Sequence, residues 1–310
     1  MSTAPLAPST RPGPQPSAVQ AYLRRAAQAG QAPWLHREVA QRMAVRLAVV
    51  RAKPARVIDW WAALGGGGAA LRAQYPKAIV EAVEPTDELL QRSRLADRAP
   101  WWSPRRWHAA SAAARRDDES LPDAHAQLLW ANMMLHWSVD PAATFTRWHR
   151  ALAVDGFVMF SCFGPDTLRE LRALYRGLGE PPPGHAFIDM HDLGDAMVYA
   201  GFADPVMDME RITLTWADAP SALAELRTLG GNASVQRDAG LRTPRWLARL
   251  HESLETALSG PDGRLHLTFE IVYGHAFKPV PRVRMAAQTR IPLETLRTMA
   301  RSGARGPADA

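Results

Sequence analysis

Short apolar segments alternate with helical patterns through the first half of the chain, and this alternation restricts the possible folds more than any other feature. Strands are expected at 57–60, 79–83, 127–131 and 156–162, with a weak further one near 107–110. Helical patterns lie before and between them, at 34–50, 69–75, 87–98 and 141–152. Strands separated by helices at such intervals form βαβ units, which build a parallel sheet covered on both faces. The sequence therefore predicts a doubly wound α/β fold.

The pattern changes after residue 162. Helices are expected at 166–176, 191–200, 219–229 and 243–258, and two strand-like segments remain at 206–216 and 265–275. The second of these, in LHLTFEIVYGHA, alternates polar and apolar residues as a strand does. We expect the two strands to complete the sheet as an antiparallel pair, and the helices of about 165–262 to form a cap.

Both ends of the chain differ in composition from the middle. Residues 1–18 contain five prolines together with Ser and Thr and few large apolar side chains, a composition that predicts disorder. Residues 280–310 are predicted to form a basic, mostly flexible tail, with a short helix near 293–301. The folded domain is therefore expected at 19–279.

Composition excludes several classes of protein. Hydrophobic residues make up 47% of the 310 and charged residues 22%, which is ordinary for a folded domain. The single cysteine, Cys162, excludes an internal disulfide and a four-cysteine zinc site, and a lone thiol suits a reducing compartment. The N-terminus lacks the apolar segment of a secretory signal, and the longest apolar run, 57–71, is too short to span a bilayer. We expect a soluble, cytoplasmic protein.

The net charge of +6 is carried by arginine, because the chain has only three lysines. No lysine-rich block, zinc-finger spacing or basic strand interleaved with aromatic residues is present, so nucleic-acid binding is not predicted. The histidines form no pair at metal-ligand spacing, and no metal site is predicted. An acidic protein partner is the better match for this charge.

A glycine-rich turn follows the first predicted strand. Asp59 lies near the end of that strand, four consecutive glycines begin at Gly65, and Glu84 ends the second strand 25 residues after Asp59. Doubly wound folds bind nucleotide-like ligands at this edge, where glycines allow the backbone to approach and an acidic residue can accept the ribose hydroxyls. In the alternative interpretation the glycines form a flexible loop and Glu84 caps the next helix. No lysine follows the glycines, which excludes a P-loop.

These residues resemble the motifs of a known fold family. Asp59 with the glycine turn, Glu84, and Trp130-Ala131-Asn132 are similar to the motifs of class I S-adenosylmethionine-dependent methyltransferases. One branch, the malonyl-acyl-carrier-protein O-methyltransferases of the biotin pathway, is resembled over about residues 34–277, in WLHREVAQRM, AVEPTDELLQRSR, ANMMLHW, FSCFGPDTLRELR, DMHDLGDAMVYAGFADPVMDME and FEIVYGHAF. The same features occur in mitochondrial complex I assembly factors of this fold, which act as arginine hydroxylases.

The resemblance implies a Rossmann-like, mostly parallel seven-stranded sheet with an antiparallel last strand. It implies S-adenosyl-L-methionine as cofactor, and methyl transfer to the free carboxylate of a malonyl thioester on acyl carrier protein. The cofactor-binding positions that it implies are Asp59, Trp61, Ala63, Gly65, Gly66, Glu84, Ser111 and Asn132.

The glycine turn departs from the family motif. The family reads Asp-x-Gly-x-Gly-x-Gly, and in that register Trp61 and Ala63 replace the first two glycines while Gly65 is kept. A bulky residue at positive φ is a rare outlier, so either the loop is reshaped or the affinity for the cofactor is reduced. The aspartate that often follows the third strand and contacts adenine is also missing from the expected place, where Ser111 is the nearest polar residue.

The acceptor side is predicted from residues that follow the fourth and fifth strands. A carboxylate acceptor is already ionised, so catalysis needs alignment and exclusion of water rather than a general base. His136 and Trp137 would line the cleft floor, where His136 either donates to a carboxylate or is a satisfied core histidine. Arg169, Arg172 and Arg176 share a helix face. They either hold the substrate and its acidic carrier protein or form a solvated stripe.

Three functions remain open from the sequence. The first is the malonyl-thioester methyltransferase. The second is a protein-modifying enzyme of the same fold, such as an arginine hydroxylase. The third is an assembly or regulatory protein that has lost the chemistry, an interpretation that Trp61 favours because it disrupts the cofactor turn.

Overall fold

A computed structural model describes residues 13–96, 114–238, 240–281 and 294. The chain divides into two compact units, Met1–Pro279 and Val280–Ala310. The expected strand near 107–110 and Ser111 lie outside the described residues. So does the expected helix near 293–301, apart from residue 294, which is helical.

A seven-stranded sheet forms the centre of the first unit. Its strands are β1 (Arg56–Trp60), β2 (Ile79–Glu84), β3 (Ala114–Arg116), β4 (Ala126–Ala131), β5 (Leu152–Phe163), β6 (Ala203–Trp216) and β7 (Leu265–Phe277). They lie in the order β3-β2-β1-β4-β5-β7-β6. Strands β1 to β5 pair in parallel, and β7 is antiparallel to both of its neighbours. The predicted mostly parallel sheet with an antiparallel last strand is confirmed.

Helices cover both faces of this sheet. They are α1 (Pro16–Gln28), α2 (Trp34–Leu47), α3 (Ala62–Gly65), α4 (Gly68–Gln74), α5 (Asp87–Ala96), α6 (Pro141–Ala151), α7 (Arg169–Gly177), α8 (Met190–Tyr199), α9 (Ala219–Thr228) and α10 (Pro244–Leu258), with a 3₁₀ turn at Leu135–Trp137. Neighbouring strand residues such as Ile58 and Val57 belong to two separate apolar clusters. Successive strand side chains point to opposite faces, so the sheet divides the core in two.

Side-chain caps explain where several helices begin. The Asp140 carboxylate accepts from the Ala143 amide at α6, and Asp218 does the same for Ser221 at α9. The Thr243 hydroxyl accepts from the Trp246 amide at α10, where Pro244 occupies the first turn. A polar cap followed by proline satisfies a free amide and fixes φ for the first turn.

Helix α1 is a correction to the expected N-terminal tail. The helix begins at Pro16, three residues inside the segment expected to be disordered, and no pattern predicted it. Its buried residues are Ala18, Val19, Tyr22, Leu23 and Ala26, which follow helical spacing. The Gln15 amide also donates to the Ala233 carbonyl, so a contact distant in sequence fixes its start.

Strand β3 has only three residues, two of them arginines, and lies at the edge of the sheet. It contains no apolar run, so hydrophobic periodicity could not reveal it. Within the described residues, no helix is both long and apolar enough to cross a bilayer.

Candidate active site

The carboxyl ends of the parallel strands bring four polar side chains to one edge of the sheet. Asp59 and Glu84 lie at the ends of β1 and β2, while Asp117 and Asn132 directly follow β3 and β4. This edge is where doubly wound folds bind their ligands.

Trp61 has the strained backbone that its place in the turn predicts. Its φ is 57° and its ψ 46°, the left-handed region that a bulky residue rarely enters. Its amide donates to the Val83 carbonyl, and its indole Nε1 donates to Asp117 Oδ2 at 2.8 Å. The side chain is buried, at 6% exposure. Two strands therefore hold a conformation that the residue would not adopt alone.

Asp117 is the functional candidate that sequence reasoning missed. It directly follows β3, the place where an adenine-contacting aspartate was expected and not found, so that part of the prediction is wrong. Burial raises the pKa of Asp117, and the hydrogen bond from Trp61 opposes this rise. The sequence placed the third strand near 107–110, outside the described residues, whereas the described β3 is Ala114–Arg116 and ends directly before Asp117.

Glu84 is fully buried and makes bonds within the chain. Its Oε1 accepts from the Ala63 amide at 2.7 Å and from the Ser93 hydroxyl. Burial raises the pKa of Glu84 to about 8, and nearby Asp59 adds to the rise. Its Oε2 has no hydrogen-bond partner among the described residues. Glu84 thus bonds the first turn of α3, the helix that precedes it in the chain. The alternative interpretation had placed it at the start of the next helix.

Asn132 joins three elements around the glycine turn. Its Nδ2 donates to the carbonyls of His36 and Gly65, at 2.7 and 2.6 Å, and its Oδ1 accepts from the Ser161 hydroxyl. A Cβ at Gly65 would lie 3.1 Å from the Asn132 carbonyl oxygen, a tight contact that only a small shift of the backbone would relieve. Gly66 has φ +67° and ends α3, which is a common use of glycine at a helix C-terminus.

The residue types at this edge fit a nucleoside cofactor, but the turn already engages two of the carboxylates. Asp117 is bonded by Trp61, and one oxygen of Glu84 is bonded by Ala63. Asp59 Oδ1 is buried without a partner in the described part of the chain, and burial raises the pKa of Asp59 to about 7. Asp59 Oδ1 and Glu84 Oε2 are therefore buried acceptors without a partner among the described residues. The indole occupies Asp117 Oδ2, so a nucleoside that uses this oxygen competes with the indole.

A cavity of about 270 Å³ lies beside this edge, between the sheet and the predicted cap. His136 and Trp137 line it together with Leu171 of α7, Leu226 of α9 and Leu250 of α10, among others. Its lining is mostly apolar, and none of the described residues that form it is Asp or Glu. His136 also lines a smaller cavity with Cys162, and burial raises the pKa of that thiol to about 12, so the thiol stays protonated.

The structure separates the three arginines of α7. Arg172 lines the cavity and its guanidinium donates to the Pro165 carbonyl. Arg169 and Arg176 are exposed, and Arg169 pairs with Glu170 at 3.1 Å. Of the three, Arg172 is therefore placed to meet a substrate in the cavity, and the other two are placed to meet a partner outside it.

Sequence comparison identifies relatives that cover most of the chain. The malonyl-[acyl-carrier protein] O-methyltransferase of Gallionella capsiferriformans is 41% identical over 267 residues, which are 85% of this chain and 91% of that protein. The protein of the same name from Laribacter hongkongensis is 42% identical over 264 residues, 84% of this chain and 88% of the relative. No protein-family model matches the chain.

Solved structures agree on the fold. The YcgJ protein from Bacillus subtilis has a TM-score of 0.52 at 13% identity, covering 79% of this chain and all of its own. A proposed methyltransferase from Bacillus halodurans also has a TM-score of 0.52, at 14% identity. At such identities the likeness concerns the fold alone, whereas the sequence relatives are close enough to show the family. The chain belongs to the malonyl-acyl-carrier-protein O-methyltransferase family.

Proposed function

We propose that this chain transfers a methyl group from S-adenosyl-L-methionine to the free carboxylate of a malonyl thioester on acyl carrier protein. We place this reaction in the biotin pathway and in the cytoplasm. The observation that carries the proposal is the identity of 41–42% with relatives named for this reaction, over more than four fifths of the chain. These relatives do not favour an arginine hydroxylase.

The chemistry requires little of the protein beyond placement. S-adenosyl-L-methionine, when bound, supplies a methyl group on a positively charged sulfur. A carboxylate oxygen forms the new bond to that carbon, the carbon–sulfur bond breaks with its electrons left on sulfur, and no proton moves. The chain must hold the carboxylate in line and exclude water. The apolar cavity beside His136 and Trp137 suits both tasks.

The cofactor is proposed to lie at the carboxyl edge of β1, β2 and β4. Asp59, Ala63, Gly65, Gly66, Glu84 and Asn132 remain the proposed contacts, together with Trp61 and Ser111, and Asp117 joins them. The polarity of this edge supports the assignment, because carboxylates accept hydrogen bonds from ribose hydroxyls and from the adenine amino group.

The direct test is product analysis. The purified chain, malonyl-acyl carrier protein and S-adenosyl-L-methionine should yield a malonyl methyl ester, seen by mass spectrometry as one added methyl group on the carrier. Acetyl-acyl carrier protein, which lacks the free carboxylate, should remain unmodified. If the cofactor binds and no malonyl thioester is esterified, the proposal is wrong and an assembly role becomes the better interpretation.

We predict that Arg169 and Arg176 receive the carrier protein, which is acidic. Reversing both charges, Arg169→Glu with Arg176→Glu, should slow carrier association at least about fivefold at low salt, because rim charges mainly steer encounter. The effect should shrink as salt screens the charges. Association is measured by stopped-flow fluorescence with labelled carrier.

The control is Arg150→Glu, a single charge reversal of an exposed arginine in the last turn of α6, which leads into the start of β5 at the opposite edge of the sheet. A small malonyl thioester needs only the cavity, so its turnover should not change in the double variant. Equal losses with the carrier and with the small thioester would contradict a docking role, and so would no loss with either.

A further inference from the structure

Two buried N–H donors without partners belong to two residues that are adjacent in sequence and line the cavity. Trp137 Nε1 and His136 Nε2 make no hydrogen bond among the described residues, and the two side chains are only 4% and 7% exposed. Buried donors are nearly always paired, so each exception calls for an explanation. Trp148 Nε1 is also unpaired, but Trp148 lines neither of the two cavities.

The hydrogen bonds around His136 define which nitrogen carries its proton. The Phe163 amide donates to His136 Nδ1 at 3.4 Å, so Nδ1 acts as an acceptor. Burial, with a contribution from His185, holds the pKa of His136 well below its usual value, and the ring is neutral. A neutral imidazole that accepts at Nδ1 carries its hydrogen on Nε2. The free nitrogen of His136 is therefore a donor, like the indole N–H beside it.

Both rings are held firmly in place. Tyr22 stacks on Trp137 with ring centroids 4.5 Å apart. Gly230 also packs closely against Trp137, because a Cβ added at Gly230 would lie 2.2 Å from the indole. Gly230 has φ +141°, a conformation that glycine tolerates. The His136 ring lies 4.5 Å from that of Phe163. Donors fixed before binding cost little to reorganise when a ligand arrives.

The charge of the cavity indicates an anionic ligand with an apolar part. Arg172 and Arg227 line the cavity, and no acidic residue is among its described lining. Within the described part of the chain no ion pair involves Arg227. Apolar and aromatic side chains, several of them from α7, α9 and α10, contribute much of the remaining wall. An acyl chain that ends in a carboxylate has both properties.

We propose that His136 Nε2 and Trp137 Nε1 donate hydrogen bonds to the carboxylate of the acceptor, inside this cavity. The inference rests on the proposed function and assigns two positioning residues to it. Neutral donors orient a carboxylate while leaving its negative charge on the nucleophile, whereas a bidentate guanidinium would engage both oxygens. Arg172 and Arg227 then attract the anion, and the two rings fix its direction.

The test compares binding of two small thioesters, malonyl-pantetheine and its methyl ester, without the cofactor. They differ only in whether the carboxylate is free. The variants His136→Phe and Trp137→Phe should each weaken malonyl-pantetheine binding at least about tenfold, as expected for loss of a hydrogen bond to a charged group. Binding of the methyl ester should stay within about twofold. Calorimetry or competition with a fluorescent thioester measures both.

Controls separate a lost donor from lost packing. Trp148→Phe removes an unpaired buried indole away from both cavities and should change neither affinity. His136→Gln restores an N–H donor and should recover most of the binding, which also covers the case in which His136→Phe does not fold. The inference is overturned if both thioesters weaken equally, if neither weakens, or if Arg227→Gln alone removes the preference for the free carboxylate.

Failure of the proposed function is distinguishable from failure of this inference. A chain that prefers malonyl-pantetheine through His136 and Trp137, yet forms no methyl ester, retains the carboxylate site and lacks the reaction. A chain that methylates malonyl-acyl carrier protein, with unchanged binding preference in both variants, performs the reaction and does not use these donors.

Discussion

Trp61→Gly should bind S-adenosyl-L-methionine at least about tenfold more tightly than the unmodified chain. The indole occupies Asp117 Oδ2, an acceptor that we expect a nucleoside to use at the end of β3. A hydrogen bond to a charged group contributes about 1.5–3 kcal/mol, and a cofactor that uses this oxygen competes with the indole for it. Glycine also removes the strain at φ 57°, since glycine tolerates positive φ.

Ala63→Gly, by contrast, should add little to this gain. Ala63 lies within α3 and is not among the described residues with positive φ, so its methyl group causes no backbone strain. Its amide, which bonds Glu84, is unchanged by the substitution. Glycine in a helix costs about 1 kcal/mol relative to alanine. The double variant should therefore bind the cofactor no better than Trp61→Gly alone.

A double-mutant cycle with Asp117 tests the cause of the gain. In an Asp117→Ala background the indole has no partner to occupy, so Trp61→Gly should no longer tighten binding. Trp61→Phe, which loses the N–H but keeps the bulk and the strain, should give an intermediate affinity. Titration calorimetry measures each affinity, and circular dichroism confirms folding. Unchanged affinity in folded Trp61→Gly would show that the turn does not compete with the cofactor.

The elements that the sequence predicted well are those with a local signal. Strands β1, β2 and β4 are short apolar runs next to turn residues, and α10 combines apolar periodicity with a Thr243-Pro244 start. Such patterns depend only on neighbours in the chain. Helix α1 was missed because a contact with the distant residue 233 supports its start. Strand β3 was missed because its pairing with β2, rather than an apolar run, supports it.

The site divides in the same way. Asp59, Glu84 and Asn132 could be placed from the sequence because each lies at or directly after a predicted strand. The bond between Trp61 and Asp117 joins residues 56 positions apart, and only the folded sheet brings them together. The same holds for the unpaired donor of His136, since tertiary contacts decide whether a buried nitrogen finds a partner. Sequence patterns indicate the edge of the sheet, and packing decides which atoms are free.

Glu84→Gln should weaken cofactor binding and stabilise the fold at pH 8. Alanine is the poorer test, because it would leave the Ala63 amide and the Ser93 hydroxyl without their acceptor. Glutamine keeps an oxygen for both, removes the charge and replaces the second carboxylate oxygen by an NH2 donor. A ribose would lose charge-assisted bonds of about 1.5–3 kcal/mol each, so the affinity should fall at least about tenfold. Wild-type affinity in the folded variant would leave Glu84 with only its structural role at α3.

The effect on stability has the opposite sign because Glu84 is buried and, among the described residues, no cation is bonded to it. Its pKa rises from 4.5 in the unfolded chain to about 8 in the fold, so its contribution to stability is complete below pH 4.5 and is lost as the pH rises through 8. Between pH 5 and pH 8 the unmodified chain should lose up to about 4 kcal/mol from this group, at about 1.4 kcal/mol per pKa unit. Glu84→Gln should not show this loss, whereas Glu252→Gln, the same change at an exposed position on α10, should retain it. Urea unfolding at the two pH values measures the difference. An equal pH dependence in both variants would mean that Glu84 is ionised in the fold at little cost. The raised pKa of Glu84 would then not be the cause of the pH-dependent loss of stability.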